Sequence, residues 1–186
     1  MGNPKARVKL IEYASLTCPH CRKFAETGVT PLVAKYVRTG QVSYEFRNFV
    51  LNGADLAASL VARCGGSRSF FPIIGDLYAA QPAWVGRVTS LSEAQKQEMV
   101  AMPEAARLTR MASAAGLLPL AAKHGVPAAA AKRCLSDTAR LAQLGTMAQA
   151  ASAAGVNHTP TFFIDGAEVH AHGWDELEPL LRKTLG

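Results

Sequence analysis

Cys18-Pro19-His20-Cys21 constrains this chain more than any other stretch. It follows a short apolar run and opens a segment with helical spacing, which puts it at a strand-to-helix turn. Two cysteines three apart at a helix start can close a small disulfide without distorting the backbone. The first sulfur then faces the unpaired N–H groups of the first turn and the positive end of the helix dipole. That setting favours thiolate over thiol. Cys18 is therefore the expected nucleophile and Cys21 the more buried resolving partner.

With 186 residues, of which 49% are apolar, the chain can bury a sizeable core in one domain carrying an inserted sub-domain. No apolar run approaches the length of a membrane span. No secretory leader is visible, and Met1-Gly2 runs almost at once into a strand, as in a chain trimmed at its start. Four cysteines are an even count, for which two disulfides in an oxidising compartment are the economical account. The net charge of +6 is spread over separate pairs (Arg22-Lys23, Lys132-Arg133, Arg182-Lys183) with no aromatic residues interleaved. A solvated basic surface is expected from this, with no nucleic-acid partner.

Val8 to Ala14 reads as a covered central strand, with Val8 and Leu10 on one face and Ile11 and Tyr13 on the other. Alternation places Glu12 among Val8 and Leu10, where it is either a desolvated carboxyl with a raised pKa or a strand-end residue reaching water. Helical spacing after the motif runs through Phe24, Leu32, Tyr36 and Val37, interrupted at Gly28 and Pro31 and stopped by Gly40. Val42, Tyr44 and Phe46 alternate with polar residues as a second strand. Leu56, Leu60, Val61 and Cys64 then share a helical face that ends at Gly65-Gly66, and Phe70, Ile74, Leu77 and Tyr78 repeat the pattern. From about Leu91 to Ala154 the chain is alanine-rich and punctuated by Pro and Gly, which predicts several short packed helices. Asp137 is the expected N-cap of the last, along which Leu141, Leu144, Ala148 and Ala151 form a stripe. Thr161 to Ile164 and Ala167 to Ala171 read as a hairpin around Asp165-Gly166, and Trp174 to Leu185 as a closing amphipathic helix. The order is β-α-β, a helical block, then β-β-α around a mixed sheet: an α/β chain with the thioredoxin topology. Residues 1–50 and 156–186 would form the thioredoxin-like domain and 51–155 the inserted helical sub-domain.

Glu12-Tyr13-Ala14-Ser15-Leu16-Thr17-Cys18-Pro19-His20-Cys21 and Val156-Asn157-His158-Thr159-Pro160-Thr161-Phe162-Phe163-Ile164-Asp165-Gly166 carry a specific resemblance. They resemble the DsbA family of bacterial thiol–disulfide oxidoreductases, and the resemblance extends over nearly the whole chain, including Phe70-Phe71 to Gln81 and Trp84. It implies that Cys18 attacks, Cys21 resolves, and Pro160 is a cis-proline facing them, with Thr159 offering its backbone to a substrate strand beside Cys18. It assigns Glu12 the place of a buried acid that relays protons to or from Cys21. Cys64 and Cys134 resemble the extra structural disulfide of some members. Two departures stand out: Thr159 replaces the valine found before the cis-proline in the best-known periplasmic oxidants, and a leading edge strand is expected to be missing. The implied activity is a periplasmic, monomeric dithiol oxidase whose only redox group is its own disulfide. Its substrates would be exported proteins with free thiols, and a DsbB-like membrane quinone reductase would reoxidise it.

Other readings of the same residues exist. A disulfide isomerase or reductase of the same fold would rest reduced and usually needs a dimerisation segment, of which none is visible. Cys18 and Cys21 could instead join His170 and His172, on one face of the last predicted strand, as a zinc site in a redox-inert module; no second CxxC exists to complete a structural site. His20 is either an exposed first-turn histidine or a donor to the Cys18 thiolate and a substrate contact. Cys64 and Cys134 could be two buried free thiols.

Overall fold

A computed structural model describes all 186 residues. The run Val8–Ala14 forms strand β1, in which only Lys9 is fully exposed. Its neighbour β2 (Val42–Asn48) runs parallel, with Val8 opposite Val42 and Ala14 opposite Asn48. On the other side β3 (Thr161–Ile164) pairs antiparallel, with Glu12 opposite Phe162, and β4 (Ala167–Val169) closes the sheet in the order β2-β1-β3-β4. A parallel pair needs a crossover. Here it consists of α1 (Pro19–Thr27), α2 (Val29–Leu32) and a π-helical turn over Val33–Val37.

The break between α1 and α2 falls at Gly28 for a packing reason. Its backbone angle φ of −105° suits any residue, but a Cβ there would lie 2.5 Å from the Phe24 ring. That ring is fully buried and meets Phe162 of β3 edge-on, with centroids 4.7 Å apart. Helix α1 is thereby fixed on the sheet by the residue one turn after the cysteine pair.

Asp165 (φ 50°) and Gly166 (φ 87°) both adopt the left-handed conformation that a two-residue type I′ turn requires. The Asp165 carboxylate accepts from the Lys9 amide at 2.8 Å, and the Asp165 amide donates to the Lys9 carbonyl at 2.9 Å, tying the hairpin to β1. Strand β4 ends at Val169, short of the expected Ala171. The reason lies in the next element, α11 (Trp174–Leu185): the His172 amide donates to the Glu176 carboxylate of its first turn at 2.7 Å, so residues 170–173 serve as the helix entry. His170 and His172 are therefore not on a strand face.

The chain divides into two compact units. One comprises Met1–Phe49 and Met147–Gly186, and the other Val50–Thr146. The first holds the sheet, α1, α2 and α11, with Leu10, Leu16, Phe24, Leu32, Phe162 and Leu177 fully buried.

The second unit is built on α3 (Gly53–Cys64), which Asn52 caps by accepting from the Asp55 amide. Around it pack α4 (Gly66–Ala79), α7 (Glu104–Ala115) and α9 (Ala128–Leu135). Ala57, Ala58 and Ala62 of α3, Ala112 of α7 and Ala131 of α9 are fully buried, so small side chains let these three helices approach closely. Leu56 and Phe70, expected to face the core, are only half-buried; in α4 the innermost positions belong to Ile73, Ile74, Leu77 and Tyr78. The remaining helices of this unit are α5 (Gln81–Thr89), α6 (Glu93–Ala101) and α8 (Leu117–Ala122). Helix α10 (Thr138–Ala153) starts in the same unit, with Asp137 accepting from the Ala139 and Arg140 amides, and crosses the unit boundary after Thr146. Cys64 and Cys134 are joined by a disulfide, so the free-thiol reading of that pair is overturned.

Candidate active site

Cys18 is the N-cap of α1. Its backbone is extended (φ −79°, ψ 123°), Pro19 occupies the first helical position, and its sulfur accepts from the Cys21 amide at 3.5 Å. Proline suits that position because the missing N–H would have had no partner there. As a thiol, Cys18 also donates to the Thr159 carbonyl at 3.3 Å. The Thr159–Pro160 peptide bond is cis, Pro160 is buried, and Thr159 is half-buried. The structure thus brings together Cys18, Cys21, Thr159 and Pro160 within the first unit.

The two sulfurs differ sharply. Hydrogen bonding from the Cys21 thiol, above all, lowers the Cys18 pKa to about 5. Partial burial opposes that change, while the Thr159 side chain and the Cys21 and His20 amides reinforce it. Burial drives the Cys21 thiol far the other way, helped by its donation to Cys18 and by the nearby charges of Glu12 and Cys18. Cys18 retains a sliver of exposure (6%), and Cys21 has none. Both are free thiols. The arrangement pairs a sulfur that ionises readily and keeps some exposure with a sealed one held as a thiol.

Glu12 is buried at 2% exposure on β1. Desolvation raises its pKa to about 8, the Tyr44 hydroxyl opposes the rise, and the Cys18 charge adds to it. Of the two readings of this residue, the desolvated carboxyl is the one observed. Tyr44 was legible only as a core residue of the second strand. What would have singled it out is the parallel register, which sets Leu10 opposite Tyr44 and brings its hydroxyl onto the Glu12 carboxyl.

His20 is exposed, and it is its backbone N–H that bonds the Cys18 sulfur. His172 stacks at a tilt against His158, with ring centroids 6.1 Å apart. No three His, Cys, Asp or Glu side chains gather around a common metal position, so His170 and His172 do not join Cys18 and Cys21 in a ligand set. No helix is long and apolar enough to cross a membrane.

Residues 1–183 match the family model described as thioredoxin. A solved structure described as a protein-disulfide isomerase from Novosphingobium aromaticivorans is 31% identical. It superposes with a TM-score of 0.92 over 100% of this chain and 95% of its own. The α-DsbA1 of Wolbachia pipientis, 24% identical, shares the fold with a TM-score of 0.72 over 100% of this chain and 89% of its own. A Rickettsia prowazekii relative, provisionally named protein-disulfide oxidoreductase, is 27% identical over 100% of this chain and 60% of its own length. The chain thus spans about three fifths of the curated relatives it matches. By the family match and this shared architecture, the chain belongs to the thioredoxin family and has the fold of its DsbA members.

Proposed function

We propose that this chain is a protein-disulfide oxidoreductase whose redox pair is Cys18–Cys21, and that it works as a dithiol oxidase on exported proteins in the periplasm. The observation that carries the reading is the asymmetry of the two sulfurs, with Cys18 ionising near 5 at a helix N-cap and Cys21 sealed as a thiol. A stabilised Cys18 thiolate makes the reduced protein favourable, and hence its disulfide a ready electron acceptor.

In the forward reaction a substrate thiolate attacks the Cys18 sulfur of the Cys18–Cys21 disulfide. The new bond joins substrate to Cys18, and Cys21 departs with the electron pair of the old one. Cys21 then takes a proton from Glu12. A second substrate thiolate attacks the first substrate sulfur and expels Cys18 as its stable thiolate. Two electrons pass from substrate to protein, entirely through sulfur, so the scheme uses no other cofactor. The Thr159 backbone, already in contact with the Cys18 sulfur, supplies an edge for an extended substrate segment. His20 stands exposed at the mouth of the site, where a substrate meets it. Substrates are proteins with free thiols, the working form is a monomer, and a DsbB-like membrane quinone-linked protein restores the disulfide.

A second reading, disulfide isomerase, is favoured by the likeness to the Novosphingobium aromaticivorans protein-disulfide isomerase. Equilibration of Cys18–Cys21 against glutathione separates the two. An oxidase should sit well on the oxidising side of about −180 mV, the range of isomerases, and a lower potential would transfer the assignment to isomerase or reductase. Cys21→Ala should accumulate clients or glutathione on Cys18, since the mixed disulfide loses its internal escape. A variant isolated from an oxidising compartment with nothing bound there would reject the assigned roles.

A further inference from the structure

We propose that Tyr44 is a positioning residue of the thiol–disulfide reaction: its hydroxyl holds the Glu12 carboxyl in the arrangement from which that carboxyl exchanges a proton with Cys21. The proposal rests on the oxidoreductase reading above and deepens it. Both side chains are sealed from water, Glu12 at 2% exposure and Tyr44 at 3%, and the tyrosine hydroxyl donates to Glu12 Oε2. They sit on adjacent parallel strands, so the pair is built by sheet register rather than by a mobile loop.

The neighbourhood explains why such a partner matters. Glu12 bonds Tyr44 of β2 and lies within electrostatic reach of Cys18, the N-cap of α1, and of Cys21 within α1, while β3 places the uncharged Phe162 opposite it. No cation is among these groups. Burial and the Cys18 charge both disfavour the Glu12 carboxylate, and the Tyr44 hydrogen bond is what favours it. A carboxyl in a dry pocket with no donor would stay protonated through neutral pH. It could then give a proton to a departing Cys21 but not take one back. With a donor fixed on one oxygen, both forms are accessible near neutrality, which is what a two-way proton exchanger needs. When Cys21 attacks a mixed disulfide on Cys18, its proton passes to Glu12, its sulfur bonds to Cys18, and the departing thiolate carries away the electron pair. When the Cys18–Cys21 bond is opened by substrate, the proton returns from Glu12 to Cys21.

The test uses Tyr44→Phe, which removes the hydroxyl and keeps the ring, with two readouts. One is the carbon-13 NMR titration of the Glu12 carboxyl in the reduced protein. The other is the pH profile of glutathione release from a Cys18–glutathione mixed disulfide by Cys21. Both midpoints should move up by about one pH unit. Replacing Tyr44 site-specifically by 3-fluorotyrosine, a stronger donor of the same shape, should move both down, and it decides the matter if the phenylalanine variant does not fold. An unmoved Glu12 titration overturns the proposal, as does a moved titration with an unmoved release profile. Failure of the native protein to release glutathione at any pH sinks the oxidoreductase reading instead, and the NMR titration still reports on Tyr44.

Discussion

Ionising Cys18 exchanges one hydrogen bond for several. The thiol's donation to the Thr159 carbonyl is lost, while the sulfur, already accepting from the Cys21 amide, becomes a stronger acceptor for that amide and for the Cys21 thiol, the Thr159 side chain and the His20 amide. A folded-state pKa near 5, against an ordinary 9.0, contributes stability to the reduced protein that is fully present above the unfolded value and lost as pH falls through 5. At pH 7 it is on the order of 3 kcal/mol before screening by nearby water trims it. Against it stands the loop closed by the Cys18–Cys21 bond, worth about 2 kcal/mol in the chain-entropy model. The thiolate therefore wins only above roughly pH 6 to 7. Thermal unfolding of the two redox forms should show the reduced one overtaking there and gaining further toward pH 8; an oxidised form that melts higher throughout would remove the physical basis of the oxidase reading. Glu12 has the opposite sign. Its pKa is raised to about 8, so its contribution is fully present below the unfolded value of 4.5 and is lost as pH rises through 8. Near pH 7 the loss is on the order of 3 kcal/mol. Glu12→Gln should flatten that dependence and raise the melting temperature at neutral pH, while slowing Cys21 turnover. A stability profile that still falls between about pH 5 and pH 8 would place the responsible proton elsewhere.

Elements whose signals are local were legible in the sequence, and those set by neighbours were not. The alternation of Val42, Tyr44 and Phe46, the Asp165-Gly166 turn and the Asp137 cap each depend on a few adjacent residues, and each is found where the pattern puts it. The sequence pattern runs β4 past its observed end at Val169, because nothing in Ala167 to Ala171 announces that the His172 amide bonds Glu176 of the following helix. Within the candidate site, the placing of Cys18 and Cys21 at a helix start is readable from spacing, and the cis bond before Pro160 from the family resemblance. Tyr44 is invisible in the sequence because its contact with Glu12, 32 residues away in the chain, depends on the register between two strands. Gly28 is an intermediate case: its interruption of the helix was readable, but its reason, the Phe24 ring, was not. Gly28→Ala should therefore destabilise the fold by about 1 to 3 kcal/mol despite alanine's better helix propensity, because the ring pinned against Phe162 cannot yield freely. Urea unfolding gives the value, and an unchanged or raised midpoint would mean that α1 shifts to make room.

At the scale of the whole molecule, the helical unit holds its own cross-link. Cys64 ends α3 and Cys134 lies in the last turn of α9, 70 residues on, so the bond ties the central helix of that unit to one packed against it. The even cysteine count predicts two disulfides; the structure closes this one and holds Cys18 and Cys21 as thiols. The two bonds should also answer differently to reductant. The Cys64–Cys134 bond closes a long loop and stabilises the fold by about 4 kcal/mol in the chain-entropy model, which makes it harder to reduce than a pair whose reduced form is held as a thiolate. Graded glutathione should therefore open Cys18–Cys21 first, with Cys64–Cys134 surviving until the poise is far more reducing. Mass spectrometry after alkylation at each poise reads the order directly. The double variant Cys64→Ser with Cys134→Ser should lose about 4 kcal/mol in chemical unfolding. A loss much smaller than that would mean that the unfolded chain is already compact between Cys64 and Cys134; simultaneous reduction of both bonds would mean that Cys18 holds no special preference for the thiolate, and would count against the oxidase reading independently of any activity assay.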